Sequence, residues 1–409
     1  MIESSLRARL RAVDPDSDPG VEDRAWEIVR GAHRPPPGAR LRRRRRWRIT
    51  VPAVASMLAL AAGTLAVASP PREALGRWLR EAIGLSATPH LRPMLAGLPG
   101  GGQLLVNSPT GPWIVSADGH RRYLGAYTAA AWSPHSLYVV AWRRTQLDAL
   151  NPLGQQQWTL ASAAAISVAR WSPDGYRIAY IAGRGLWIVA GDGSETHQLY
   201  ADVAPAAPAW QPHTGTTHRI AFVDQSGDIR LLDADSEVQL WRAKARPAVR
   251  QLLWSPDGTR LLAVFAGRVE LYNSEGRLLA DAALPAGQTI SQAAFAPIGD
   301  QVALAVRQTS PAGESVAVQT ATPRGLHQPP HILFSADAYI NAIDWSPDDL
   351  WLVASSPSAD QWIFIRTRPP VRFQAVSRIT AQFASSHRAA NGFPTLSGWQ
   401  PPAPTRPAG

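Results

Sequence analysis

The sequence predicts an all-β chain folded as a ring of seven propeller blades, preceded by one membrane-spanning helix with short flanking helices. Three observations carry this: a turn motif recurring every 40 residues or so, β-rich sequence between its copies, and incomplete repeat pieces at the two ends of the array that complete one another.

The motif is Trp-Ser-Pro-Asp-Gly. It is intact at Trp171–Gly175 and Trp254–Gly258. Close variants are Trp132-Ser133-Pro134-His135 and Trp345-Ser346-Pro347-Asp348-Asp349. More worn copies are Trp210-Gln211-Pro212-His213, Phe295-Ala296-Pro297-Ile298-Gly299 and Trp399-Gln400-Pro401. Successive aromatic positions lie 39, 39, 44, 41, 50 and 54 residues apart. Ser-Pro-Asp-Gly suits a type I turn, with Pro preset at the second position and Gly free to close the fourth. The Trp before it ends a strand and offers a large apolar face to a neighbouring sheet.

A strand is expected after each turn, at Arg177–Ile181, His218–Val223, Arg260–Phe265, Gln301–Val306 and Leu350–Ala354. Hairpin turns such as Gly191-Asp192-Gly193 and Ser274-Glu275-Gly276 and further strands such as Leu186–Val189, Ile229–Leu232 and Val269–Tyr272 complete each repeat. The segments Gln103–Asn107, Pro112–Ser116 and His120–Leu124 form three strands with no marked strand before them, and Thr395–Trp399 is a marked strand with none after it. Joined, they make one blade and close the ring without free sheet edges. Six blades is the competing count, because the repeats opening at Phe295 and Trp345 are long and worn. On these residues, over 103–402, the chain resembles the TolB-type propellers, relatives of the WD-repeat proteins. The resemblance implies the fold and leaves the ligand open.

Ahead of the propeller, Ile49–Ser69 runs 21 residues without a charge, about 31 Å as a helix and enough to cross a hydrocarbon core. Arg40–Arg48 places seven Arg in nine positions before it, whereas the segment after it holds Arg72, Arg77 and Arg80. That asymmetry predicts a cytoplasmic N-terminus and an extracytoplasmic propeller. Ala66-Val67-Ala68 resembles a signal-peptidase site, but the long leading segment and long apolar run favour an uncleaved anchor. The expected organisation is 1–48 basic cytoplasmic segment, 49–69 transmembrane helix, 70–102 juxtamembrane amphipathic helix and linker, 103–402 propeller, and 403–409 tail.

The net charge of +10 divides unevenly. Residues 1–48 hold 13 Arg against 7 acids, while residues 103–409 hold 24 basic against 22 acidic residues. The basic excess therefore sits where it meets anionic lipid, through Arg40–Arg48 and residues 49–69, and the near-neutral propeller argues against nucleic acid. The chain has no Cys, so no disulfide or lipid-bearing Cys holds an exported domain, and blade packing must do so.

No residue is assigned to catalysis, cofactor or metal. Gly100-Gly101-Gly102 lacks the Lys-Ser/Thr of a phosphate loop and reads as a linker turn. Asp14-Pro15-Asp16-Ser17-Asp18 fails calcium-loop spacing, because Ala25 stands where a bidentate Glu is needed. Asp233-Ala234-Asp235-Ser236-Glu237 reads as a hairpin turn. His135 and His213 hold matching turn positions two blades apart, too far for a shared metal. Trp113, Trp187, Trp351 and Trp362 are expected to fill spaces between blades.

The expected function is a non-enzymatic binding or sensor module for a protein, peptide or envelope polymer on the propeller face. The layout of short cytosolic segment, single span and outer domain is similar to membrane-bound anti-sigma factors of actinobacterial type. That likeness implies a cytoplasmic regulator docked on residues 1–34. The alternative is an exported propeller enzyme acting on glycans or peptides through channel-facing residues.

Overall fold

Each marked turn is a small hydrogen-bonded device whose chemistry explains its sequence. In Trp171–Gly175 the Ser172 hydroxyl donates to Asp174 Oδ1 at 2.6 Å and accepts the Arg177 N–H at 2.9 Å. Asp174 Oδ1 also accepts the Tyr176 N–H at 3.0 Å. Gly175 closes the turn onto the Ser172 carbonyl at 3.0 Å with φ 82, a conformation that costs a Cβ-bearing residue energy. The same bonds recur around Ser255 and Asp257, and around Ser346 and Asp348. Ser and Asp are thus two halves of one clasp that turns the chain from one strand into the next.

The worn copies survive by other means. His135 and His213, which stand where the intact motif has Asp, adopt positive φ of 59 and 57, and Ser133 still caps the Tyr138 N–H at 2.8 Å. In the Phe295 copy, Ala296 and Ile298 can supply neither hydroxyl nor carboxylate. There the Ile298 N–H is accepted by Asp349 Oδ1 of the next turn, at 3.0 Å.

These turns link strands of a closed seven-sheet ring in the computed structural model, which describes residues 90–402 except 93, 216, 245–247, 311–312, 324–325, 327–329 and 385–391. Blade 1 pairs β29 (Thr395–Gln400) with β2 (Gln103–Ser108), β3 (Gly111–Ser116) and β4 (Arg121–Tyr123). Blades 2 to 7 open with the inner strands β5 (Ala129–Trp132), β9 (Ile166–Trp171), β13 (Ala209–Trp210), β17 (Gln251–Trp254), β21 (Gln288–Phe295) and β25 (Ala342–Trp345). Each runs outward through three further antiparallel strands. The count is seven, and the closing register pairs Leu104 with Trp399. The expected strands are present within a residue or a few, the largest extension being β22 (Val302–Ser310).

The predicted membrane span 49–69, the cytoplasmic segment 1–48, the flanking helix from residue 70 and the tail 403–409 lie outside the described residues. Among the described residues no helix is long and apolar enough to cross a membrane. The stretch read as linker is described from His90 and is part of the propeller's framework. β1 (His90–Arg92) adds a parallel strand to the outer edge of blade 7, beside β28 (Phe373–Ser377). Leu95 and Leu98 are buried in the cluster between blades 7 and 1, and the Leu98 N–H bonds the Ala117 carbonyl at 2.9 Å. Gly100 is required by close approach, since a Cβ there would lie 2.3 Å from Ser346 Cβ. The glycine run therefore seats the chain against the neighbouring blade, a role that spacing alone does not reveal.

The hydrophobic core is divided into clusters between blades. One packs blades 2 and 3 through Trp142, Tyr180 and Ile178, another blades 3 and 4 through Leu186, Trp210 and Phe222, another blades 4 and 5 through Trp254 and Phe265. Trp362 and Phe383 are fully buried between blades 7 and 1, as the interblade reading of Trp362 expects. Trp113, Trp187 and Trp351 pack on the same kind of cluster.

The marked Trp indoles do a second job. Trp132, Trp210, Trp254 and Trp345 each donate Nε1–H to a carbonyl on the inner strand of the preceding blade, at 3.0 to 3.1 Å. Trp399 donates to the Gly101 carbonyl at 2.7 Å. The Trp171 indole N–H has no partner. Removing the indole should therefore cost unequal amounts. Trp345→Phe is expected to destabilise the chain by about 1 kcal/mol more than Trp171→Phe, because only the first breaks a buried hydrogen bond. Denaturant midpoints of the two variants would check this, and equal losses would show that the bond contributes nothing.

Candidate functional site on the turn face

The turns of blades 3 and 4 enclose a cleft of about 520 Å³. Its walls include Pro173, Trp210 and Pro212 on the apolar side and Asp174, His213 and His218 on the polar side. Pro173 and Pro212 are there because the turn geometry favours Pro at its second position. Trp210 is there because it ends the inner strand. The cleft is thus a by-product of two adjacent copies of the motif, one intact and one worn.

His218 organises it. Entering β14 (Arg219–Val223) in blade 4, its Nδ1 bonds Asp235 in the turn after β15 (Ile229–Asp233). Its Nε2 lies 2.8 Å from Asp174 Oδ2 of the blade 3 turn, an ion-pair contact off the line of a hydrogen bond. Arg177 Nε reaches Asp235 at 3.2 Å from blade 3. Two cations and two carboxylates alternate across the blade boundary. Burial pulls the His218 pKa down, but the contacts with Asp174 and Asp235 outweigh it and hold the imidazolium above the usual His value. Burial pushes Asp174 up, and contacts with His218, Ser172 and the Tyr176 N–H overcome it, leaving that carboxyl below its usual range.

Of the two motif histidines, His213 lines the cleft and is exposed, whereas His135 stands exposed on the blade 2 turn and does not line it. Asp233–Glu237 is the expected hairpin turn, with Asp233 Oδ1 accepting the Asp235 and Ser236 N–H groups. Among the described residues no group of three His, Cys, Asp or Glu is placed to hold a metal ion. The two carboxylates on His218 approach opposite edges of its ring, which makes a clamp and leaves no shared point for a cation. Nothing in the sequence singles out His218, because its partners sit on another blade and another hairpin, 44 residues away at Asp174 and 17 away at Asp235.

Two inner strands carry a buried charged side chain. At the position just before the marked aromatic, the inner strands of blades 3 and 7 present Arg170 and Asp344. Burial pushes the Asp344 carboxyl up to about 7, against the pull of backbone N–H groups from Trp345 and Trp399. Burial also pulls Arg170 below the usual guanidinium range. Asp344 is the one acid among the seven residues that stand just before a marked aromatic.

Residues 328–365 match the WD40 family, described as WD domain, G-beta repeat. The match covers one repeat, from the outer part of blade 6 through the first three strands of blade 7. Among solved structures the chain is similar to the C-terminal WD40 domain of Sif2, at 15% identity over 74% of this chain and 87% of that one, with a TM-score of 0.51. It is also similar to the Cps50 (Swd1) β-propeller domain of Myceliophteria thermophila, at 11% identity over 59% and 83% with a TM-score of 0.48. A third match is the hydrazine synthase of Kuenenia stuttgartiensis, at 12% over 58% and 75% with a TM-score of 0.48. No curated protein matches the sequence. A WD40 repeat and a seven-bladed propeller fold are therefore shown.

The clamp predicts a pH-dependent stability. The folded state holds the His218 proton more tightly than an unfolded chain does, so its contribution is complete below the ordinary His pKa of about 6.5 and is lost as pH rises through the raised value. Asp174, held low, contributes above about pH 4 and loses that contribution in acid. His218→Gln is expected to lower the melting temperature most between about pH 4.5 and 6.5, and less at about pH 8.5. Melting curves of both proteins across that range would check it; a difference that grows with pH would reverse the assigned sign.

Proposed function

We propose that this chain is a membrane-anchored, non-enzymatic TolB-type propeller that binds a protein, peptide or envelope polymer outside the cytoplasm. The observation that carries the binding role is the blade 3–4 cleft. Proline and indole walls offer apolar contact, while Asp174, His213, Thr214 and Thr217 offer donors and acceptors, the mixture that receives an anchoring side chain of a partner. His218 holds both walls at a fixed separation, so the partner meets a preformed site. The WD40 repeat supports the same reading. The anchor and orientation rest on residues 40–69 of the sequence, and the near-neutral propeller favours a polypeptide or uncharged polymer over nucleic acid. Signalling through residues 1–34 to a cytoplasmic regulator, in the anti-sigma manner, extends this reading.

Partner capture tests it. With the C-terminus tagged and intact cells crosslinked, the full chain is expected to retain an envelope partner that the double variant Pro173→Glu, His213→Glu loses by tenfold or more. Both positions are exposed, so the fold should persist and circular dichroism should be unchanged. Capture unaffected by the pair would remove the cleft as the binding site. A cytosolic regulator lost on deletion of residues 1–34 would support the signalling extension, and its absence from both samples would end it.

A further inference from the structure

The outer strands of four blades share one irregularity. In blades 2, 4, 5 and 6 the pairing of the third strand with the fourth shifts register after Ala149, Leu231, Leu271 and Val318. The fourth-strand residue paired just before the shift is, in turn, Trp158, Trp241, Ala280 and Phe334. Each of the three aromatic residues reaches the next blade. Trp158 donates Nε1–H to the Gly191 carbonyl at 2.9 Å, and Trp241 donates to the Ser274 carbonyl at 3.0 Å. Both carbonyls belong to the turn between the third and fourth strands of that next blade. The turn makes room for the ring with a glycine, since a Cβ on Gly193 or Gly276 would lie 2.7 or 2.6 Å from the indole Cδ2. Phe334 meets the Phe373 ring of blade 7, with centroids 5.6 Å apart.

Blade 5 breaks the pattern. Ala280 packs against the cluster between blades 5 and 6, as Trp158 and Trp241 pack against theirs, but its side chain stops at a methyl group. Beside it the seam holds a cleft of about 660 Å³, within the size range of small-molecule pockets. Pro323 forms the far wall, from the turn between the third and fourth strands of blade 6. Leu271 and Leu279 line the near wall, and Leu279 is 49% exposed, so the cleft opens to solvent. Arg260 also lines it. Its Nη1 donates to Asp300 Oδ2 of blade 6 at 3.1 Å, and its Nη2 lies 3.5 Å from Asp257 Oδ2, so the guanidinium is held in place. The chain thus shows, at two other seams, that an indole is the group this place accommodates.

We propose that the cleft between blades 5 and 6 binds a tryptophan side chain of a polypeptide partner. The ring would bury its apolar faces against Leu271, Leu279 and Pro323, as a large amphipathic anchor does in an interface pocket. The fixed Arg260 guanidinium favours an aromatic ring over an aliphatic group. This site is separate from the blade 3–4 cleft, and it rests neither on that cleft nor on the membrane anchor.

The test titrates the solubilised full-length chain with N-acetyl-tryptophanamide, followed through the NMR signals of the small molecule. N-acetyl-leucinamide serves as the aliphatic control and free L-tryptophan as the amino-acid control. The tryptophan amide is expected to bind about tenfold more tightly than the leucine amide, and at least as tightly as free tryptophan. Ala280→Trp supplies the indole from the chain itself, so it should abolish binding and raise the melting temperature. Leu279→Asp alters an exposed wall. It should leave the circular dichroism unchanged and weaken binding about threefold or more. No binding of the tryptophan amide, or equal binding of the leucine amide, overturns the proposal. So does binding that survives Ala280→Trp in a folded variant, or an Ala280→Trp chain that melts below the parent, because the seam would then not admit an indole. Tighter binding of free tryptophan than of its amide would assign the cleft to the amino acid and overturn the polypeptide as its occupant.

Discussion

A propeller blade is a sheet with two apolar faces, and neither can be covered by the blade itself. Each must be covered by a neighbour, and that requirement dictates the rest of the architecture. The core is accordingly cut into slabs between blades, such as the Trp142–Tyr180 slab between blades 2 and 3 and the Trp362–Phe383 slab between blades 7 and 1. Four of the marked indoles, Trp132, Trp210, Trp254 and Trp345, tie the slabs together near the axis, because a ring buried between two sheets must also place its N–H, and the carbonyl it reaches belongs to the preceding inner strand. Closure follows from the same rule. Blade 1 is assembled from the two ends of the array, so neither end leaves a face uncovered.

The polar groups are arranged around this constraint. Charges inside a slab cost stability, so most of the ion pairs collect at the turns and along the outer strands. On the outer half of blade 4, Arg230 pairs with Asp224 and Arg242 with Asp228, in each case within one sheet. The His218 clamp differs because it ties two blades together, from the turn of one to the hairpin of the next.

The edges are treated unequally. The outer strand of blade 7 is covered by β1, whose parallel pairing runs from His90 to Arg92, and α1 (Ile379–Gln382) after that blade uses Gln382 to bond the Leu95 N–H and Arg121. The segment leading into the propeller is thereby tied to the seam between blades 7 and 1.

By itself the sequence determined the repeat, the strand order within it and the joining of the ends, because the Ser-Pro-Asp-Gly clasp is built from residues adjacent in the chain and its bonds are local. It also determined which Trp residues serve the blade interfaces, since their place follows from the motif. What it left open was every contact between repeats. His218 and its two carboxylates, the support of Ile298 by Asp349 and the seating of Gly100 against Ser346 each join residues tens to hundreds of positions apart. Aligning the repeats on the marked aromatic is enough to single out Arg170 and Asp344 as the charged exceptions. Local hydrogen bonding writes its geometry into neighbouring residues; burial against another blade does not, and the tertiary structure alone decided those contacts.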